Sequence, residues 1–247
     1  RYEGAIADGI EGARLLDNAR QNLMALISQD PGPLSTLSAG AVLAPPVPNE
    51  PGPWIDTALL SNHDQNAEKH NVAVASLEVK RRQAARLPTL GANLNSSFTD
   101  TKNTDSTRSS FSLSLSIPLI QGGQIRAQIK EAALNLEAAR YKYESSRRQV
   151  RIETRGAFLA IKSRLRRIGA LGEAVHASEG ALQAKREGFD AGLNTNIEVL
   201  NAQRDLFRAQ RDYLKERYDY ILALLQLEAL IGNLNLDDVR RVNAWLE

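Results

Sequence analysis

Residues 111–119 read Phe-Ser-Leu-Ser-Leu-Ser-Ile-Pro-Leu, an unbroken alternation of apolar and small polar side chains. Period-2 alternation defines a strand with two unlike faces. One face carries Phe111, Leu113, Leu115, Ile117 and Leu119; the other carries Ser112, Ser114 and Ser116. In a soluble sheet the apolar face would rest on a core. In a transmembrane β-barrel it would face lipid, and the serines would face a watery lumen. The flanks favour the barrel, because they are long helical patterns with no globular core to offer.

Composition narrows the choice. Aromatic residues make up only 5% of the 247 positions, few for a compact core, and the helix formers Ala, Leu, Arg, Gln and Glu dominate. The net charge of +2 implies no polyanionic partner. There is no cysteine, so disulfides and thiolate metal sites are excluded, a pattern compatible with an oxidising envelope compartment. No apolar run is long enough for a membrane-spanning helix; the most apolar helical stretch, Ile221 to Ile231, is interrupted by Gln226 and Glu228. The chain opens Arg-Tyr-Glu-Gly without Met, which suggests a processed or truncated product.

Residues 1–30 read as a helix with Leu15, Leu16, Ala19, Leu23, Leu26 and Ile27 on one side, stopped by Asp30-Pro31-Gly32-Pro33. Residues 31–53 hold seven of the nine prolines and read as an extended linker, not a packed element. A second helix is expected from about Trp54 to Arg86, with Pro88 turning Leu87 out of the helical region. Residues 88–120 form a candidate hairpin. Its first arm alternates Leu90, Ala92, Leu94 and Phe98 with polar residues, Ser96 being a blemish in the apolar face. The stretch Thr99 to Ser110 is polar throughout and reads as the loop. Each arm is then about ten residues, the length a tilted strand needs to cross a bilayer.

Residues 121–232 read as one long helical hairpin. Ile129, Leu136, Tyr143, Val150 and Ala157 recur every seven residues, and after a four-residue phase shift so do Ile161, Ile168, Val175 and Leu182. Some sixty residues of helix span roughly 90 Å, and a heptad sustained that far requires coiled-coil-like partners. Gly188-Phe-Asp-Ala-Gly192 breaks the pattern. Thr195 and Glu198 then form a capping box that opens a returning helix with its own seam of Leu206, Tyr213, Tyr220 and Leu227, closed by Gly232. The tip of the hairpin is therefore expected at 188–196. Residues 233–247 close the chain with a short helix. A weak internal repeat relates Leu23-Met-Ala-Leu-Ile27 to Leu227-Glu-Ala-Leu-Ile231 at an offset of 204. If the repeat holds, the chain begins inside a helix of a first repeat that is otherwise absent.

Taken together, these features resemble the TolC-type outer-membrane efflux and secretion channels. The carrying segments are Leu87-Pro-Thr-Leu90 at helix to strand and Ile117-Pro-Leu-Ile-Gln-Gly-Gly123 at strand to helix. They continue with Gly188-Phe-Asp-Ala-Gly192 at the tip, Asn196-Ile-Glu-Val-Leu-Asn-Ala-Gln203 after it, Gly232-Asn-Leu234, and Asn243-Ala-Trp-Leu246. The resemblance covers nearly the whole chain. It implies a mainly α fold with a β-hairpin: long antiparallel helical hairpins forming an α-barrel tunnel, plus strands of a transmembrane β-barrel. It further implies a homotrimer of two-repeat protomers in the outer membrane of a Gram-negative bacterium, extending into the periplasm and working with a periplasmic adaptor (membrane fusion) protein and an inner-membrane transporter. Such a channel is a passive exit duct of a tripartite efflux pump or a type I secretion system. Two strands per chain would give three copies only six, too few for an open barrel, so the chain is expected to be the C-terminal half of a protomer.

The resemblance also assigns candidate sites. An acidic ring at the periplasmic constriction aligns with Glu198 and Asn201, of which only Glu198 is acidic here. A latching tyrosine and arginine are replaced by Phe189 and Asn194, so a closed state needs different bonds. Ala191, Gly192 and Leu193 match the segment at which the adaptor docks, with Leu193 as an exposed apolar knob. Like carboxylates gathered by symmetry would raise one another's pKa and attract cations; alternatively, Glu198 merely completes its capping box.

The remaining residues point to no chemistry. His63 and His70 lie seven apart and His176 far away, without metal-ligand spacing. No phosphate loop or nucleophile–base pattern appears, so no enzyme, cofactor or metal is expected. Residues 140–167 hold ten Lys or Arg and two acids; without aromatic stacking platforms this is read as a solvated helix face, not a nucleic-acid site. Lys80, Arg81, Arg82 and Arg86, just before the first strand, are expected to meet anionic headgroups of outer-membrane lipid. The rival reading of the whole chain is a trimeric coiled-coil stalk or adhesin without a pore.

Overall fold

The computed structural model describes residues 2–38, 40–101 and 104–246. The chain divides into two compact units, Ala44–Leu234 and the pair Arg1–Leu43 with Asn235–Glu247. In chain order the elements are α1 (Tyr2–Ile27), α2 (Pro51–Ser61), α3 (His63–Ala84), β1 (Thr89–Thr101), β2 (Thr104–Ser116), α4 (Gln124–Asp190), α5 (Asn196–Leu230) and α6 (Leu236–Asn243).

The larger unit is organised by α4, whose 67 residues run roughly 100 Å. The α3 helix lies antiparallel to its first half: Arg82 donates to Gln128 at 3.3 Å, and Lys142 pairs with Glu68 at 2.7 Å. The α5 helix lies antiparallel to its second half, with Arg164 on Glu216 at 2.9 Å and Lys185 on Glu198 at 3.1 Å. Both heptad seams turn inward. On α4, Val150, Ile161, Ile168 and Leu182 are buried, and on α5 so are Tyr220 and Leu227. The largest fully buried side chains are Tyr220, Phe158, Ile161, Leu227 and Thr154. Those of α4 lie near its middle; α2 also packs against α4, and its Ala58 is fully buried.

The expected single helix over 54–86 is two helices. It starts earlier, because Pro51 and Pro53 occupy the first turn, where proline's fixed φ is pre-organised and its missing N–H costs nothing. It breaks at Asn62, whose ψ of 129° leaves the helical region. The break serves α5. Asn62 Oδ1 accepts the Gln65 N–H at 2.9 Å, capping α3, while Asn62 Nδ2 donates to the Leu230 carbonyl at 2.8 Å. Ser61 Oγ donates to the next carbonyl, Ile231. The last carbonyls of α5, which no turn of its own could satisfy, are thus met by the α2–α3 junction. Gly232 follows at φ +68°, and a Cβ there would lie 2.3 Å from the Ser61 carbonyl oxygen.

The proline-rich stretch is more engaged than a free linker. Tyr220 donates its hydroxyl to the Ala44 carbonyl, and Trp54 Nε1 donates to Pro48 O at 2.8 Å. In the smaller unit Leu37 is buried and forms an antiparallel bridge with Leu246, flanked by Ser38 N–H donating to Trp245 O at 2.8 Å. In the same unit α6 opens with a capping box between Asn235 and Asp238. The α1 helix ends at Ile27, short of Pro31, with Ser28 at φ +56°. An offset of 204 carries Ser28 onto Gly232, so the repeated pentapeptides end their helices with the same left-handed residue.

The hairpin is longer than expected. The stretch Thr99 to Ser110, read as loop, continues the ladder to Thr101↔Thr104; its threonines are β-branched and favour a strand. The centre of the turn, 102–103, lies outside the described residues. Leu90 faces Leu115, Ala92 faces Leu113, and Leu94 faces Phe111, all on one side. Ser96 breaks this apolar side but is not orphaned, because it faces Ser109 and the two hydroxyls are 3.1 Å apart.

Candidate functional site

The tip is built from the last turn of α4 and the first of α5. The α4 helix persists to Asp190, two residues beyond the expected break, and closes with Ala191 N–H on Glu187 O at 3.0 Å and Gly192 N–H on Phe189 O at 2.9 Å. Gly192 takes φ +73°, which an L side chain resists. The chain then folds back so that Leu193 and Asn194 N–H both reach the Gly188 carbonyl, at 2.7 and 3.0 Å. Gly188 also leaves room for the Asn194 side chain. The Asn194 amide lies directly over it, and a Cβ at 188 would fall 2.0 Å from Asn194 Nδ2.

Glu198 completes the capping box. Its Oε2 accepts the Thr195 N–H at 2.8 Å, and the Thr195 hydroxyl accepts the Glu198 N–H at 3.4 Å. Its other oxygen takes Lys185 Nζ at 3.1 Å. The Thr195 backbone N–H first, and then the Lys185 ammonium, hold the Glu198 carboxyl below the ordinary carboxylate range. Within one chain, then, this group is a paired carboxylate and not a bare acid. Lys185 also donates to Asn194 Oδ1 at 3.4 Å, and Asn194 Nδ2 donates to the Lys185 carbonyl at 3.4 Å. The reading from sequence missed Lys185; its place three residues before Gly188, with an acid in the first turn of the returning helix, was the available signal.

Asn201 lies one turn beyond Glu198 and lines an open groove with Lys185, Glu198, Ala181 and Asp205. Leu193 is 83% exposed, and Phe189, Ile197 and Leu200 are also exposed. The structure therefore brings Glu198, Asn194 and Asn201 to one place, and sets Ala191, Gly192 and Leu193 at the outermost turn.

At the other end of the unit, the expected lipid-facing side chains stand uncovered. Phe111 is 70% exposed, and Leu113, Leu115 and Ile117 are exposed as well. Ser112 and Ser114 face Asn93 and Gly91 on the opposite side; Ser116 shares that side. The basic residues before β1 are not all free for a partner. Glu78 binds Arg81 through Nε at 2.6 Å and Nη2 at 2.7 Å, and Arg82 at 2.7 Å, so its carboxyl is lowered to about 2, chiefly by Arg81. The basic stretch 140–167 is likewise only partly a solvated face. Lys142 reaches Glu68 of α3, while Arg164 and Arg167 converge on the buried Glu216 of α5 at 2.9 and 3.4 Å.

The profile of the outer membrane efflux protein family matches residues 54–233, and the chain belongs to that family. It is 28% identical over 255 residues to the outer membrane protein TolC of Vibrio cholerae, covering all of this chain and 58% of that protein. It is 26% identical to TolC of Escherichia coli, covering 98% of this chain and 52% of that protein. It is 29% identical over 211 residues to the alkaline protease secretion protein AprF of Pseudomonas aeruginosa, covering 83% of this chain and 44% of that protein. The chain thus spans about half the length of the curated relatives it matches. Among solved structures, its fold is similar to the open state of the Neisseria gonorrhoeae MtrE outer membrane channel, with TM-score 0.71 and 22% identity over 94% of this chain and 54% of that one. It is also similar to the outer membrane protein VceC of Vibrio cholerae, with TM-score 0.67 and 20% identity over 92% of this chain and 56% of that one.

Proposed function

We propose that this chain is one half-protomer of a trimeric outer-membrane exit duct for efflux or type I secretion. In this reading β1 and β2 are two strands of a lipid-embedded barrel, and α3, α4 and α5 are walls of a periplasmic tunnel. The 191–195 turn is the inner entrance, opened by an adaptor that docks at Ala191, Gly192 and Leu193. The observation that carries the reading is the hairpin. A two-stranded ribbon is marginal by itself in water, yet this one exposes Leu90, Leu94, Phe111, Leu113 and Leu115 on one face and small polar side chains on the other. Lipid on the first face and water on the second satisfy both.

The long hairpin of α4 and α5 supplies the moving part. Opening is a shift of one packed helical pair against its neighbours, between two arrangements of the same seams. No energy source is needed in the chain, because the adaptor and transporter provide it. Glu198 and Asn201 sit at the constriction, and Phe189 with Asn194 replace the latch that the resemblance would supply.

The test is extraction and electrophysiology of the full-length protein that carries this chain. The expected result is a detergent-dependent, heat-sensitive trimer that gives stable openings in a planar bilayer. A protein that stays soluble and monodisperse without detergent and never conducts would overturn the duct and leave a coiled-coil stalk.

A further inference from the structure

We propose that Lys185 is a selectivity-setting residue that neutralises the tip constriction from within each chain. The inference deepens the reading of the tip as the duct's inner entrance and rests on it. Glu198 is the acid of the first turn of α5, and both of its oxygens are committed inside the chain, one to the Thr195 N–H and one to Lys185 Nζ at 3.1 Å. Asn194 holds the lysine in place, accepting from Nζ at 3.4 Å while its own amide anchors to the Lys185 carbonyl. The other acid of the same groove, Asp205, is also paired, with Arg204 at 3.3 Å and Arg208 at 3.8 Å. Asn201 adds no charge. Both carboxylates that line this groove, Glu198 and Asp205, therefore carry their own cations.

The consequence is electrostatic. A carboxylate with an ammonium 3.1 Å away presents a dipole to a passing ion, whose potential dies within a few ångströms. A bare carboxylate presents a charge felt across about a Debye length, roughly 10 Å at moderate salt. Three symmetry-related Glu198 side chains without Lys185 would form an anionic ring that concentrates cations. With Lys185 the ring carries no net charge, and the entrance discriminates weakly between ions of either sign. Lysine is suited to this task because its flexible stem lets the ammonium follow Glu198 when the hairpin shifts.

Reversal potentials under a potassium chloride gradient test the inference on the full-length trimer. Lys185→Met is expected to raise the potassium-to-chloride permeability ratio about threefold. Glu198→Gln, which strips the acid and leaves the lysine, is expected to lower it by a similar factor. Where Lys185→Met reduces trimer yield, Lys185→Gln removes the same charge and keeps a donor for Asn194. A shift in Glu198→Gln with none in either lysine variant would overturn the role of Lys185. A wild-type channel that conducts only after Lys185 is replaced would overturn it too, making the pair a latch. No shift in any variant of a conducting channel would place the constriction elsewhere, and no conductance from wild type or variants would count against the duct itself.

Discussion

Asn62 and Gly232 show how much of this molecule rests on single backbone needs. Asn62 caps two helices at once, giving its oxygen to the start of α3 and its amide to the end of α5. Asn62→Ala removes both bonds and leaves a half-buried carbonyl at Leu230 unmet. The expected loss is about 2 kcal/mol, read as a lower denaturation midpoint with helix content at low denaturant unchanged. Asn62→Asp keeps the α3 cap but turns a donor toward a carbonyl into an acceptor, so it recovers only part of the loss. At Gly232 a methyl group meets both a left-handed φ of +68° and the Ser61 carbonyl 2.3 Å away. Gly232→Ala is expected to cost at least about 2 kcal/mol and to disturb the Ser61 and Asn62 contacts together, which amide exchange at Asn66, bonded to the Asn62 carbonyl, reports. Ser28, at the matched position of the internal repeat, holds a similar φ of +56° and is exposed. Ser28→Gly is therefore expected to be neutral or mildly stabilising.

At the scale of elements, the hairpin and the seams were legible because their periods are simple. The alternation of 111–116 matches the two faces of β2, whereas the strand ends at Ser116 and leaves Ile117 and Leu119 beyond it; the recurrence of Val150, Ile161, Ile168 and Leu182 matches the buried seam of α4. What was not legible depended on contacts distant in sequence. The break at Asn62 answers the carbonyls of residues 168 positions away, and nothing local to 54–86 announces it. The same holds for Arg164 and Arg167, which look like part of a solvated basic face until Glu216 meets them from α5. At the tip, Thr195 and Glu198 spelled out the capping box, but the second partner of Glu198 lay across the turn. The hairpin yields a paired prediction. In the barrel proposed above, Leu113→Arg sets a charge on the apolar face and is expected to cost about 2–4 kcal/mol near the bilayer midplane, seen as loss of folded, heat-modifiable protein in the membrane fraction. Ser112→Arg, one residue away on the other face, is expected to insert normally, since Arg108 already occupies that face.

The last turn of α3 carries a pH prediction. Glu78 is lowered from 4.5 to about 2, mainly by its bond to Arg81. A depressed carboxylate stabilises the fold above its unfolded pKa and loses that contribution as pH falls through the folded one. The order of the 82–87 segment is therefore expected to be constant from neutrality to about pH 4.5 and to decline between there and about pH 2. Glu78→Gln should flatten that profile in amide exchange at Arg86 and Leu87. Persistence of the profile in the variant would assign the titration to another group.

For the whole molecule, the decisive feature is how much apolar surface the helical unit leaves uncovered. The inward seam of α5 is spent on α4, but Leu200, Phe207 and Leu214 form a second line, seven residues apart, and all three are exposed. On α4, Leu134 with Tyr141 and Ile152 with Leu159 repeat the pattern at the same spacing. Exposed apolar lines of this kind mark an interface, and a helix with two heptad seams packs against neighbours on both sides, as the tunnel wall proposed above requires. Phe207→Glu should therefore weaken assembly without touching the α4–α5 pair. The expected result is a trimer dissociating at a clearly lower temperature on a heat-modifiability gel, with unchanged far-ultraviolet circular dichroism for the dissociated chain. Arg208→Gln, one residue on and off the seam, removes only an exposed charge 3.8 Å from Asp205 and should leave the dissociation temperature in place. If both substitutions left the trimer unaltered, the second seam of α5 would face solvent in the assembly, and the tunnel wall would have to be built from α4 alone.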